Sequence, residues 1–355
     1  MRRARMLGIC AFLWGLLTGN AVLDQPSPAN SQRLFSIPYG ESKGAVPLKV
    51  AYGHPDYEPD RVEGPTALLV SPNGSRIAVV VRRRNEEHNE VVEVFIYTRL
   101  GEFINKASVV YKTVYIPGEH ILPTYVMISN ILYGPNNQLY IVLKGEEIRV
   151  YDAQGNLLDS LSKTYTDSFR LFNRDIRETI DMVGVDKWGS IYFSDGGRES
   201  YQIDPKGNRA WIDHPISRLS KDGSTIYLIK GRSPEVWVKR QGRLQRLCSI
   251  PSDSKTFDQL KQQYRSYYFR YVTASGQTYW YTYPHGDLNW SSIATIGGEL
   301  HIATTDILVF DHNGRLVCKV PCFIAGGAEP VGCSDPWDID DNGNIYYLKW
   351  AEKSL

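Results

Sequence analysis

Near the end of the chain, in the stretch WDIDDNGNIYYLKW, Asp338, Asp340, Asn342 and Gly343 are spaced D-x-D-x-N-G. Alternating oxygen donors before a glycine open many calcium loops, in which the ion takes about 6–8 oxygens. Such a loop also needs a late acidic ligand. An EF-hand would want a glutamate at Lys349, and a D-x-D-x-D-G-x-x-D loop an aspartate at Tyr346. The same residues suit a hairpin turn, because Asp and Asn side chains bond local backbone and tolerate left-handed angles. The turn is the preferred reading. No cofactor is expected, and calcium at Asp338, Asp340 and Asn342 is the alternative.

Other reactive groups meet the same test. Asp195 and Asp204 could act as acid and base, yet Asp152 and Asp311 recur at the position of Asp204 in similar stretches, as a turn requirement predicts. The seven histidines, His54, His88, His120, His214, His285, His301 and His312, show no H-E-x-x-H or H-x-H spacing. No G-x-S-x-G elbow, phosphate loop or dinucleotide fingerprint is present, so no catalytic residue is assigned. The densest anomaly is YRSYYFRYVTASGQTYWYTYPHGDLNW, residues 264–290, which follows a helix expected over 254–264 and capped by Asp253 or Ser254. Tyr279, Tyr281 and Tyr283 would share one strand face and Trp280 the other. Trp280, His285, Asp287 and Trp290 surround a loop that breaks the local pattern, and are the candidate ligand-binding residues.

The elements that must position these groups repeat along the chain. IYFSDGGRESYQIDPKGN (191–208) runs strand, turn, strand, then D-x-x-G. LYIVLKGEEIRVYDAQGN (139–156), TIYLIKGRSPEVWVKRQGR (225–243) and LHIATTDILVFDHNGR (300–315) keep that cadence, and 77–102 is a longer copy. Turns such as SPNG, GPNN, DKWG and SKDG precede them, and apolar residues alternate along the strands. One unit is a four-stranded antiparallel meander that cannot cover both of its faces alone. Arranged radially, the units cover one another, which is a β-propeller. The turns at Gly74, Asn137, Gly189, Gly223, Gly276, Gly298 and Gly343 imply six blades, with seven as the alternative. Strands at 33–37 and 48–52 would complete the C-terminal hairpin and close the ring. The helical and aromatic insertion covers 253–290, and the propeller 64–355.

The N-terminus carries Arg2, Arg3 and Arg5, an apolar run over 6–17, then small residues to Ala21. This is the layout of a secretory signal over 1–21, followed by an N-terminal segment over 22–63. The apolar run is shorter than the ~20 residues of a spanning helix, so an uncleaved anchor is the lesser reading. Cys10 follows Ile9 rather than a small residue and belongs to the apolar run. Cleavage after Ala21 removes three arginines and takes the formal net charge from +1 to −2. Arg82–Arg84 are followed by Glu86 and Glu87, so no nucleic-acid footprint exists. Cys248, Cys318, Cys322 and Cys333 are then disulfide candidates in a permissive compartment, and C-x3-C with one further cysteine is poor zinc spacing.

VGVDKWGSIYFSDGGRESYQIDPKGN resembles a complete NHL repeat, and IDDNGNIYYL half of one. The resemblance implies a propeller in a class that includes binding modules, lyases and hydrolases. The expected function is an exported, periplasmic or extracellular, monomeric binding module for an envelope protein or glycan, using loops such as 86–90 and 285–290. The alternative is a metal-dependent lactonase-like or lyase-like enzyme with ligands at the central channel. A sensor domain on an uncleaved anchor is the third reading.

Overall fold

Among the described residues, six strands at the end of a sheet run into a turn whose first residue is Ser71, Gly134, Asp186, Ser220, Thr273 or Asp340. The amide of that residue bonds a carbonyl four or five residues on, as Asp186 does to Ser190 at 2.9 Å. Five of the turns have a glycine three places later, its amide returning to the first carbonyl, as Gly189 does to Asp186 at 3.0 Å. Where the sixth has Asn137, that residue itself takes φ 58°. Each turn reverses the chain into an antiparallel partner, and this repetition builds the fold.

The computed structural model describes residues 6–12, 31–38, 42–46, 49–51, 61–63, 65–84, 90–111, 128–143, 147–160, 181–194, 200–212, 216–230, 235–240, 243–284, 303–324 and 337–351. They form an all-β propeller of four-stranded antiparallel blades. Blades I to V span 65–111, 128–160, 181–212, 218–249 and 264–324, each from four consecutive strands. The expectation of six or seven blades is thereby corrected to five. The turn signal at Gly343 heads only a hairpin, Trp337–Ile339 with Ile345–Ala351. Its sheet is composite: Met6–Phe12 pairs with Ile345–Ala351 on one side and Ser31–Pro38 on the other. The closure expectation is also revised, since the apolar run read as a signal core takes the place beside the C-terminal strand. Of 48–52, Lys49–Ala51 pairs instead with Arg61–Glu63 in a separate hairpin. The signal at Gly298 lies outside the described residues.

Strand alternation sends successive side chains to opposite faces, and each face packs on a different neighbour. In blade I, Ala78 and Val80 join Ile131 and Ile141 of blade II. Ile77, Val79 and Val81 join Ile37 and Tyr346 of the composite sheet. Clusters of the same kind bind blade II to III, III to IV, IV to V, and V to the composite sheet. One α-helix among the described residues, α1 (Ser254–Gln263), lies between blades IV and V in the chain. Asp253 caps it by accepting the Thr256 amide at 2.8 Å, and it buries Leu260 in the IV–V cluster. No helix among the described residues is long and apolar enough to cross a membrane.

Neighbouring turns also touch. Gly223, with φ +68°, would place a Cβ 2.6 Å from backbone atoms of Val185, Asp186 and Lys187, and its carbonyl accepts the Lys187 amide at 3.1 Å. Gly207, with φ +83°, has open space around it. Gly207→Ala should therefore lose only the left-handed cost of about 1–2 kcal/mol. Gly223→Ala adds a backbone clash and should lose about 3 kcal/mol or more in urea unfolding. Equal losses would show that the turns of blades III and IV are not in tight contact.

Candidate functional site: the central channel

Residues of the first strand of each blade, with Asp338 of the composite sheet, line one cavity, the channel. Counting back two residues from the start of each turn gives a ring of lining residues: Leu69, Leu132, Gly184, Arg218, Tyr271 and Asp338. Bulges widen the set. The ladder register shifts between Phe269 and Tyr271 and between Met182 and Gly184, so Arg270 and Val183 border the channel as well. A bulge re-aims a side chain that strict alternation would send into the blade. About 720 Å³ of space, open solvent included, lies within these walls.

At the turn end of the channel Lys221 reaches across from blade IV. Its Nζ donates to Asp338 Oδ2 at 2.5 Å, to the Ile339 carbonyl at 2.6 Å and to the Val70 carbonyl at 2.9 Å. The side chains are 13% and 1% exposed, so this ion pair is shielded from water. Asp338 also accepts the amides of Val70 at 2.6 Å and Ile339 at 2.8 Å. All three protons of the ammonium have acceptors, and the ammonium lies 5.4 Å from the Tyr271 ring centroid. Asp338 is thus a fully engaged carboxylate.

Tyr133 differs. It is 4% exposed, lines the channel, and its hydroxyl has no hydrogen-bond partner. Burial pushes that hydroxyl well above the ordinary tyrosine range, with Arg76 opposing and Asp338 reinforcing the shift. A buried hydroxyl left unpaired costs about 1–3 kcal/mol. Arg218 is half-buried, with no polar partner among the described residues, and Arg270 is half-buried one blade on.

Behind this end, both carboxylate oxygens of Asp341 are buried without a hydrogen bond. Its amide bonds the Pro72 carbonyl at 2.8 Å. Burial first, then the Asp222 carboxylate, push Asp341 up to about 7; Lys221 and the nearby Asp222 amide pull the other way, and Asp340 adds to the rise.

The residues singled out in the sequence are placed as follows. Asp340 serves its own turn: Oδ1 accepts the amides of Asn342 at 3.0 Å and Asn344 at 2.9 Å, and Oδ2 the Tyr346 hydroxyl at 3.0 Å. Asn342 is exposed, and Asp338 faces the channel rather than that turn. Asp152, Asp204 and Asp311 each accept two amides of their own turns. Trp280 departs from the loop-site reading. It sits in strand Thr278–Pro284, 2% exposed, packed on Phe269 and Phe310, with its Nε1 donating to Thr278 Oγ1 at 3.0 Å. Its strand position on the face toward blade IV makes it core.

His285, Asp287 and Trp290 lie outside the described residues, as do Asp195, Cys333 and six histidines; His312 is exposed in a turn. Cys248 and Cys318 are free thiols, pushed up by burial to about 11 and about 12. Cys318 and Cys322 are four residues apart on one strand, roughly 13 Å, which is too far to bridge. Among the described residues no group of three or more His, Cys, Asp or Glu is placed to hold a metal ion. Sequence reading missed Tyr133, Arg218, Lys221 and Arg270. The register to the turn would have found Arg218.

No family model matches the chain, and no curated protein matches it. Among solved structures it is similar to the β-propeller domain of the Trilobed protease from Pyrococcus furiosus, at 12% identity and TM-score 0.39, over 79% of this chain and 81% of that one. It is similar to the Dos1 propeller at 10% identity and TM-score 0.40, over 88% and 83%. A member of the DUF4221 family from Bacteroides vulgatus gives 10% and 0.36, over 87% and 100%.

Two measurements probe the turn end of the channel. Lys221→Met leaves Asp338 a buried, uncompensated charge and should cost about 3–5 kcal/mol in urea unfolding, with Asp338→Leu in the same chain recovering part of the loss. An aspartate whose folded-state value lies above its ordinary 3.8 holds its proton preferentially in the native state. Its stabilising effect is therefore present below 3.8 and is lost as pH rises toward about 7. The melting temperature of Asp341→Asn should gain on the wild type across that interval and then run parallel to it. A constant offset at every pH would show that Asp341 does not titrate there.

Proposed function

We infer that this chain is a non-enzymatic binding propeller whose ligand site is the central channel. The observation that carries the reading is the channel itself, where apolar walls meet Arg218 and Arg270 from neighbouring blades. Few polar groups in a mostly apolar cleft are what a recognition site uses. A lactonase-like or lyase-like centre would draw free carboxylates, Asn or His from three or more blades. The carboxylate that lines this channel, Asp338, is bound to Lys221.

On this reading the chain is a degenerate NHL-like propeller. On the same reading the composite sheet, which shares apolar clusters with blades V and I, would close the ring. Export to the envelope is part of the proposal and rests on the basic, apolar and small-residue order of 1–21, with that segment kept uncleaved, because Met6–Phe12 is a strand of the composite sheet. An envelope protein or glycan is the partner, and loops around 285–290 would extend the contact beyond the channel.

The test is a combined thermal-shift and turnover screen of the full chain against soluble envelope glycans, organic acids and lactones. A melting temperature raised by about 2 °C or more, with the ligand recovered unchanged, is the expected result. Consumption of any ligand, lost in an Asp338→Asn variant, would overturn it.

A further inference from the structure

We propose that Ser31–Pro38 and Ile345–Ala351 frame a strand-binding slot, filled here by the chain's own Met6–Phe12 and able to take an uncharged apolar peptide of a partner protein in its place. The site is separate from the channel and does not depend on it.

Met6–Phe12 stands in the middle of the composite sheet, antiparallel to both neighbours, with seven residue pairs on each side. Trp337–Ile339 pairs only with Ile345, Tyr346 and Tyr347. Among the described residues, Leu348–Ala351 therefore have Met6–Phe12 as their one ladder partner. Ser31–Pro38 likewise joins the sheet only through that strand.

Both walls of the slot are anchored without it. Ile37, 1% exposed, is buried with Val79 and Tyr97 of blade I, and Leu34 and Phe35 pack on the same cluster. The Val46 amide donates to the Pro38 carbonyl at 3.0 Å. On the other wall Tyr346 belongs to that cluster and Ile345 to the one shared with blade V. Neighbouring strands lie about 4.8 Å apart, so the walls frame a space one strand wide, edged on both sides by amides and carbonyls that a strand satisfies. A strand entering there completes two ladders at once, and main-chain hydrogen bonds supply affinity in strand addition. The resident MLGICAF carries no charge, which sets the kind of peptide that fits.

The resident strand is also detachable. It lies within 1–21, and the small residues ending at Ala21 fall between it and Ser31–Pro38. A cut there frees Met6–Phe12 without severing another strand. In the intact chain the tether holds it at about millimolar effective concentration, against which a free peptide competes poorly.

The experiment weakens the resident strand and offers a replacement. Gly8 pairs with Ser36 and Lys349 at its centre, and Gly8→Pro removes a ladder donor there. A labelled peptide of residues 5–13 with a lysine tail should bind the full-length Gly8→Pro chain at least about tenfold more tightly than the wild type. It should also raise that variant's melting temperature and restore slow amide exchange at Leu348–Ala351. The same peptide carrying Gly8→Pro should not bind. Exchange at Leu348–Ala351 equal in variant and wild type, no binding at about 100 μM, or equal binding of the proline peptide would overturn the proposal. If the variant does not fold, the wild-type chain with a protease site within 13–30 takes its place. After cutting, labelled peptide should replace the N-terminal piece, and a cut chain that takes up no peptide would overturn the slot.

Discussion

The contact on which the rest depends is the bond between Lys221 and Asp338. A propeller blade is held to its neighbours by apolar faces that are not directional, and such faces alone leave the relative slide of the sheets loosely fixed. Lys221 joins the turn of blade IV to the carboxylate and carbonyl of the composite sheet and to the Val70 carbonyl of blade I. Three sheets that are not consecutive in the chain thus share one ammonium. A buried ion pair adds little net stability over an apolar replacement. Its contribution here is register, since all of its short hydrogen bonds fail together if one sheet slides.

Around that pin, packing follows from alternation and its interruptions. Where the ladder is regular, one side chain in two faces each neighbouring blade, as Ala78 and Val79 do on opposite faces of one strand. Where it is bulged, at Val183 and Arg270, consecutive residues border the channel. Consecutive residues border it in regular ladders as well, from Ile131 to Tyr133 and at Arg218 and Leu219, so the fold rests on the regular strands and the site on both kinds. The aspartates at the turns work for the first of these. Asp186 accepts the Trp188 and Ser190 amides and the Tyr192 hydroxyl, and so spends its oxygens locally.

This division explains what the sequence made legible. The turns, the meander and the α1 helix were readable because each rests on local chemistry: a carboxylate bonding amides two and four residues on, or Asp253 capping the Thr256 amide. The blade count was overstated because the Gly343 turn looks like the others, yet its sheet takes its remaining strands from the far end of the chain. Met6–Phe12 was hidden by its own composition, since a short apolar run suits an export signal and a paired strand alike. Trp280 drew attention as an aromatic beside a loop, whereas its alternation with Tyr279 and Tyr281 makes it core. Lys221 was invisible because its partner lies 117 residues away.

Lys221 also gives the channel a direction. With an ammonium and its three acceptors laid across the turn end, that end is a wall rather than a door. Were the channel the ligand site, an ammonium held across one end would favour the tip of a long molecule over a segment from its middle.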